Sequence, residues 1–137
     1  MTSSTADVVR RYFAVVADLD STPDQLRDVV HPEARFVEHP NPVVPTGAVR
    51  DVEATLAGFQ AGKALLSAQS FDLHEMVVDG HRASVRGTWR GTVGRDAGPY
   101  RAGTVLEAHI AGWLTVRDDL VLEHETFDCY VPFDRAS

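Results

Sequence analysis

A chain of 137 residues and 15.0 kDa suits one domain spanning 1–137, with an ordered core expected over about 5–131, because two separately folding halves would each be marginal. With 44% apolar and 24% charged residues it has the makeup of a packed globule, which excludes disorder, collagen and low complexity. Twenty acidic against 13 basic residues leave a net charge of −7, which argues against a nucleic-acid or anionic-membrane partner, since a phosphate surface calls for a basic footprint.

The apolar positions Val8, Tyr12 and Val16, widened by Val9, Phe13 and Leu19, give a 3.6-residue period and predict a helix over 4–19 with Ser4 or Thr5 as its cap. A second helix opens at Thr22, where Pro23 suits the first turn and Gln25 completes a capping box. Leu26, Val29 and Val30 form its apolar side, and His31-Pro32 is expected to end it. Phe36-Val37 suggests a very short strand. Pro40, Pro42 and Pro45, closing on Gly47, exclude a helix or central strand and predict a rigid loop. A third helix is expected over about 50–66 with Val52, Leu56, Phe59 and Leu66 facing inward; Gly58 and Gly62 within it predict close packing there.

After Ser67 the period changes to two. Strands are expected over 71–78, 82–93, about 101–117 and 120 to about 131, with turns at Asp79-Gly80 and Asp118-Asp119. Helices followed by an antiparallel meander predict an α+β fold, the helices gathered on one face of a curved sheet.

Nucleotide, phosphate-loop, nucleophile-elbow and zinc-helix motifs are absent. The single cysteine, Cys129, excludes an intrachain disulfide and a thiolate metal cluster, and has no neighbour that would activate it as a nucleophile. Apart from His109 with Glu107 and His124 with Glu123 or Glu125, the six histidines and many carboxylates show no close ligand set, so no metal is expected. No run approaches 18 apolar residues and no basic segment precedes an apolar one, so a cytoplasmic location is expected, with no membrane partner. Lys63 is the only lysine among the 13 basic residues, a bias that fits the base composition of the coding genome.

His39, beside Glu38 at the mouth of the proline loop, is either an imidazole presented rigidly to a pocket for acid–base work or a polar loop residue. His124, Thr126 and Asp128 share one face of the last strand. His124 and Asp128, four residues apart, stand roughly 13 Å from each other and form no direct dyad. Tyr12 is either a core residue or a phenolic donor to a ligand oxygen. Trp89 and Trp113 read as core or pocket walls.

In order and spacing, Val8-Val9-Arg10-Arg11-Tyr12-Phe13, His31 to Ala34, Phe36-Val37-Glu38-His39-Pro40, Leu114 to Asp119 and Val121-Leu122-Glu123-His124 resemble the SnoaL-like branch of the nuclear transport factor 2-like superfamily, over about residues 5–131. The resemblance implies a cone of three N-terminal helices on a curved antiparallel sheet, a deep apolar cavity, no cofactor and a homodimer. The activities it implies are isomerase- or cyclase-like acid–base chemistry on a small apolar carbonyl, polyketide or steroid-like molecule. Epoxide hydrolysis, dehydration and ligand binding or dimerisation without catalysis are the alternatives. Tyr12 matches the tyrosine that binds the substrate oxyanion in ketosteroid isomerases, and His39 stands where their base aspartate stands. Their second aspartate falls near Gly112, which has no side chain. In the cyclases a histidine matching His124 precedes the base aspartate by two residues, a place held here by Thr126. The expected catalytic group is therefore Tyr12, His39, His124 and Asp128, with Phe13, Phe36, Phe59, Trp89 and Trp113 as the walls that bind ligand.

Overall fold

The structure, a computed structural model, describes residues 3–134. Helix α1 spans Thr5–Ala17, where the side chain of Ser4 accepts the Asp7 amide and Val8, Val9, Tyr12 and Phe13 form the buried stripe. Helix α2, Pro23–Arg27, carries the expected capping box between Thr22 and Gln25 but ends sooner than its apolar pattern suggests. Val30 instead opens strand β1, Val30–Glu38, and lies opposite Val121. Pairing with the sheet overrides the helical period here. Pro32, which has no amide hydrogen to donate, falls where the register shifts between Val30 and Arg35. A strand expected to cover two residues thus covers nine.

The proline loop returns as a three-residue edge strand, β2, Ala48–Arg50, antiparallel to the end of β1. Helix α3, Val52–Leu65, is capped by Asp51 and buries Val52 and Leu56. Gly58 and Gly62 do not mark close packing: a Cβ at either would have nothing within 4 Å. Both glycines border a cavity instead.

Strands β3 (Leu66–Asp79), β4 (Arg82–Val93), β5 (Val105–Arg117) and β6 (Leu120–Tyr130) form the antiparallel meander. Asp118 and Asp119, at φ 55° and 59°, make the tight turn between the last two. The six strands lie in the order β2-β1-β6-β5-β4-β3, and β1 runs parallel to β6. The sheet is therefore mostly, not wholly, antiparallel. It curves around the helices without closing, so the three-helix α+β cone stands.

Alternation along β5 settles which face is which. Leu106, Ala108, Ile110, Leu114 and Val116 are buried beneath the helices, whereas His109, Trp113 and Arg117 are exposed on the other side. The core runs from Val8 and Val9 through Leu26 and Val30 to Leu114 and Val121. Among the described residues no helix is long and apolar enough to cross a membrane.

Candidate active site in the cone

Strand β6 supplies the polar groups of the interior. His124, Thr126, Asp128 and Tyr130 alternate inward, while Glu123, Phe127 and Cys129 are exposed on the outer face. The Nδ1 of His124 lies 2.8 Å from the Tyr12 hydroxyl, and its ring stands edge-on to both Tyr12 and Phe13. Burial pushes His124 down to about 4 and drives Tyr12 well above the ordinary phenol range. Both are therefore neutral at pH 7 and share one hydrogen bond, while the His124 Nε2 is buried without a partner. Tyr12 and His124 meet as a pair, but each takes the polar contact the other would offer a ligand.

Gly112 makes this arrangement possible. A Cβ there would sit 3.1 Å from His124 Nε2 and 3.3 Å from Val85 Cγ2. The imidazole fills the volume that a side chain at position 112 would take. Gly112→Ala should crowd the ring, strain its bond to Tyr12 and cost about 1–3 kcal/mol. Thermal unfolding checks this, and an unchanged melting temperature would contradict it.

A cavity of about 390 Å3 opens between α3 and the inner face of the sheet, within the range of roughly 300–1,000 Å3 typical of small-molecule sites. Phe59, Trp89, Ile110 and Tyr130 are among its walls, with Gly58 and Gly62 on the helical side. Trp89 is held by its Nε1 donating to Gln69 Oε1 at 2.8 Å; Gln69 in turn donates to the carbonyls of Val16 and Ala17. Gly91 leaves room for the indole, since a Cβ there would come within 2.6 Å of the Trp89 ring.

Asp128 is the one carboxylate lining this cavity among the described residues. Thr126 Oγ1 donates to its Oδ1 at 2.6 Å, and its second oxygen has no hydrogen bond among them. Burial raises the Asp128 carboxyl above the usual carboxylate range; the Thr126 bond opposes that shift and the charge of Glu38 adds to it. The neighbouring Tyr130 phenol is also pushed up, by burial first and then by Asp128, Glu38 and Tyr100.

A second cavity of about 300 Å3 adjoins the first, with Val16, Gly58, Phe59, His124 and Thr126 bordering both. It is lined by Tyr12 and Phe36 and by the carboxylate of Glu38, which accepts from Arg50 Nη1 and Asn41 Nδ2, both at 2.9 Å. Asn41 also accepts the amides of Val43 and Val44, so one buried side chain ties the proline loop to the Glu38 carboxylate. Neither Glu38 nor Asn41 was among the candidates from sequence. Strand parity carried the signal for Glu38: Phe36 faces inward, so the residue two positions on does too.

His39 lies outside. Its Nε2 is 2.8 Å from Glu125 Oε2, its ring stacks on Phe127 at 4.1 Å, and it borders neither interior cavity. The chain passes from Glu38 to His39 with the alternation of a strand, which puts neighbouring side chains on opposite faces. The imidazole expected at the pocket is therefore on the far side of the sheet. Trp113, 47% exposed and edge-on to Phe127, belongs to the same outer face. Of the five expected walls, Phe59 and Trp89 border the larger cavity and Phe36 the smaller. Phe13 is buried in the core against Phe71. Among the described residues no group of three or more His, Cys, Asp or Glu side chains gathers to hold a metal ion.

A model of the SnoaL-like domain matches residues 9–124. The chain belongs to the SnoaL-like domain family. Solved structures agree in fold with this SnoaL-like domain. IdmH from Streptomyces antibioticus, a proposed polyketide cyclase, is 22% identical with a TM-score of 0.76 over 92% of each chain. A proposed SnoaL-like polyketide cyclase from Jannaschia is 19% identical, with a TM-score of 0.72 over 90% of this chain and 84% of that one. AclR from Streptomyces galilaeus, a proposed hydroxylase, is 16% identical, with a TM-score of 0.70 over 91% of this chain and 76% of that one. No curated protein matches the chain. The SnoaL-like domain thus shares with these structures the cone of three helices on a curved sheet.

Proposed function

We propose that this SnoaL-like domain is a cofactor-free acid–base enzyme, isomerase- or cyclase-like, acting on a small apolar carbonyl compound of polyketide or steroid-like kind. One observation carries the reading: Asp128 projects a carboxylate with one unpartnered oxygen into an apolar cavity, and burial there raises its basicity above that of an ordinary carboxylate. In this reading Asp128 takes a proton from the carbon next to the substrate carbonyl. Thr126 fixes the orientation of the carboxylate. The Tyr130 hydroxyl, which lines the same cavity and has no hydrogen bond among the described residues, donates to the oxygen of the enolate. Returning the proton to another carbon gives isomerisation; attack of the enolate carbon on a second carbonyl of the same molecule closes a ring, and the alkoxide formed there takes the proton back from Asp128.

The chemistry is tested by nuclear magnetic resonance, following deuterium uptake from heavy water at the α-carbons of a panel of bicyclic ketones that includes 2-tetralone. The wild-type protein is expected to accelerate exchange above buffer. Binding of the panel without any acceleration would favour the second reading, a ligand-binding module, which the engagement of the Tyr12 hydroxyl by His124 Nδ1 supports.

We also propose that a second copy of the chain covers the outer face. Trp113 and Phe127 are 47% and 40% exposed there, and Arg35 and Arg82 share a small hollow with Glu123 and Glu125. Charges of both signs on one patch allow it to meet itself about a two-fold axis. Sedimentation at micromolar concentration should give twice the monomer mass, and Trp113→Glu should give monomers. A wild-type monomer would contradict the proposal.

A further inference from the structure

We infer that the ligand of the larger cavity carries a carboxylate, seated on Lys63. The inference rests on the reading of that cavity as a small-molecule site. Lys63, the only lysine of the chain, stands in the last turn of α3 and is the one cationic side chain bordering the cavity among the described residues, since His124 is neutral. Its ammonium lies 5.1 Å above the centre of the Phe59 ring and donates to the carbonyl of Ser21, a buried residue of the turn before α2.

These two contacts fix the head group without neutralising it. No carboxylate of the described residues lies within ion-pair distance of Lys63, whereas Arg27, Arg50 and Arg90 all have one. An ammonium has three donors, and Ser21 takes one. The remaining donors and the unpaired charge are held at an apolar cavity, where an anion is worth more than it is in water.

The arrangement also orients the ligand. Asp128 makes the β6 side of the larger cavity negative, while Lys63 makes its α3 side positive; Glu38, in the adjoining cavity, is paired with Arg50. A keto acid or a carboxylated aromatic would place its carboxylate at α3 and turn its apolar carbonyl-bearing body toward Asp128. The reverse pose would set like charges together.

The test is calorimetric binding of anthraquinone-2-carboxylate and of its neutral counterpart, anthraquinone-2-carboxamide, at pH 7.5. The wild-type protein should bind the carboxylate at least about 10-fold more tightly than the carboxamide. Lys63→Met should bring the ratio near one by weakening the carboxylate alone, and Lys63→Arg should keep the preference. Lys63→Gln, which retains a donor for the Ser21 carbonyl, carries the test if the Met variant does not fold. Asp128→Asn should keep the preference, so loss of catalysis and loss of the anion seat are read separately. Equal affinities in the wild type, or a preference that survives in Lys63→Met or Lys63→Gln, would overturn the inference. Failure of the wild type to bind either probe would overturn both the inference and the reading of the cavity.

Discussion

Asp128→Asn should lower α-proton exchange by about 10^3-fold and at the same time make the protein more stable at pH 7. The first effect follows from its proposed role, because a positioned general base is worth about 10^2–10^4-fold. The asparagine keeps an oxygen for the Thr126 hydroxyl and fills the same space, so the cavity survives. The second effect follows from linkage. Burial raises the folded-state pKa of Asp128 above its ordinary value of 3.8, so at neutral pH the carboxylate is less comfortable folded than unfolded. Replacing it removes that cost. Below the ordinary carboxylate range both states hold the proton and the gain disappears. The difference in melting temperature between variant and wild type should therefore be positive at pH 7 and shrink toward zero near pH 3.5. A variant less stable than wild type at pH 7 would contradict the burial argument, whatever its activity.

His124 gives the opposite dependence and the larger one. Its value falls from 6.5 to about 4 in the folded protein, with Tyr12 its one hydrogen-bond partner. Between those values the unfolded chain takes up a proton that the folded chain refuses. Stability is therefore fully present above about pH 6.5 and is lost progressively as pH falls to about 4, by about 3 kcal/mol. The paired replacement Tyr12→Phe with His124→Phe removes both polar groups together and leaves neither buried without a partner. Chemical denaturation of this double variant should lose about 3 kcal/mol less than the wild type over that window. An equal loss in both proteins would show that the acid sensitivity arises elsewhere.

Periodicity reached most of the cone because its elements bury one face each. The stripe on α1, the capping box at Thr22 and the change of period after Ser67 are local signals, and local physics decides them. Strand β1 is different. Val29 and Val30 continue the helical pattern of α2, but Val30 pairs with Val121, more than 90 residues away, and no local pattern reports that partner. The same pairing makes β1 and β6 parallel, which the meander alone does not suggest.

The site was legible in part. Parity placed His124, Thr126 and Asp128 on one face, and the resemblance pointed to Tyr12. What one strand cannot state is which face of a neighbouring strand looks inward. His39 followed from its place beside Pro40, yet Phe36 and Glu38 hold the inward parity of β1, so His39 falls to the outer face with Glu125 and Phe127. Lys63 reads in the sequence only as a mark of base composition and Gly112 as a position without a side chain, because their meaning depends on what stands opposite: a cavity for one and the His124 imidazole for the other.

The central claim is that the reacting carbonyl meets Asp128 inside the cone and not His39 outside it. Deuterium exchange into 2-tetralone and its panel, measured side by side for wild type, Asp128→Asn and His39→Ala, tests it most directly. The expected result is loss of exchange in Asp128→Asn with His39→Ala within about twofold of wild type, since His39 touches neither interior cavity. Full exchange by Asp128→Asn, or its loss in a folded His39→Ala, would contradict the account.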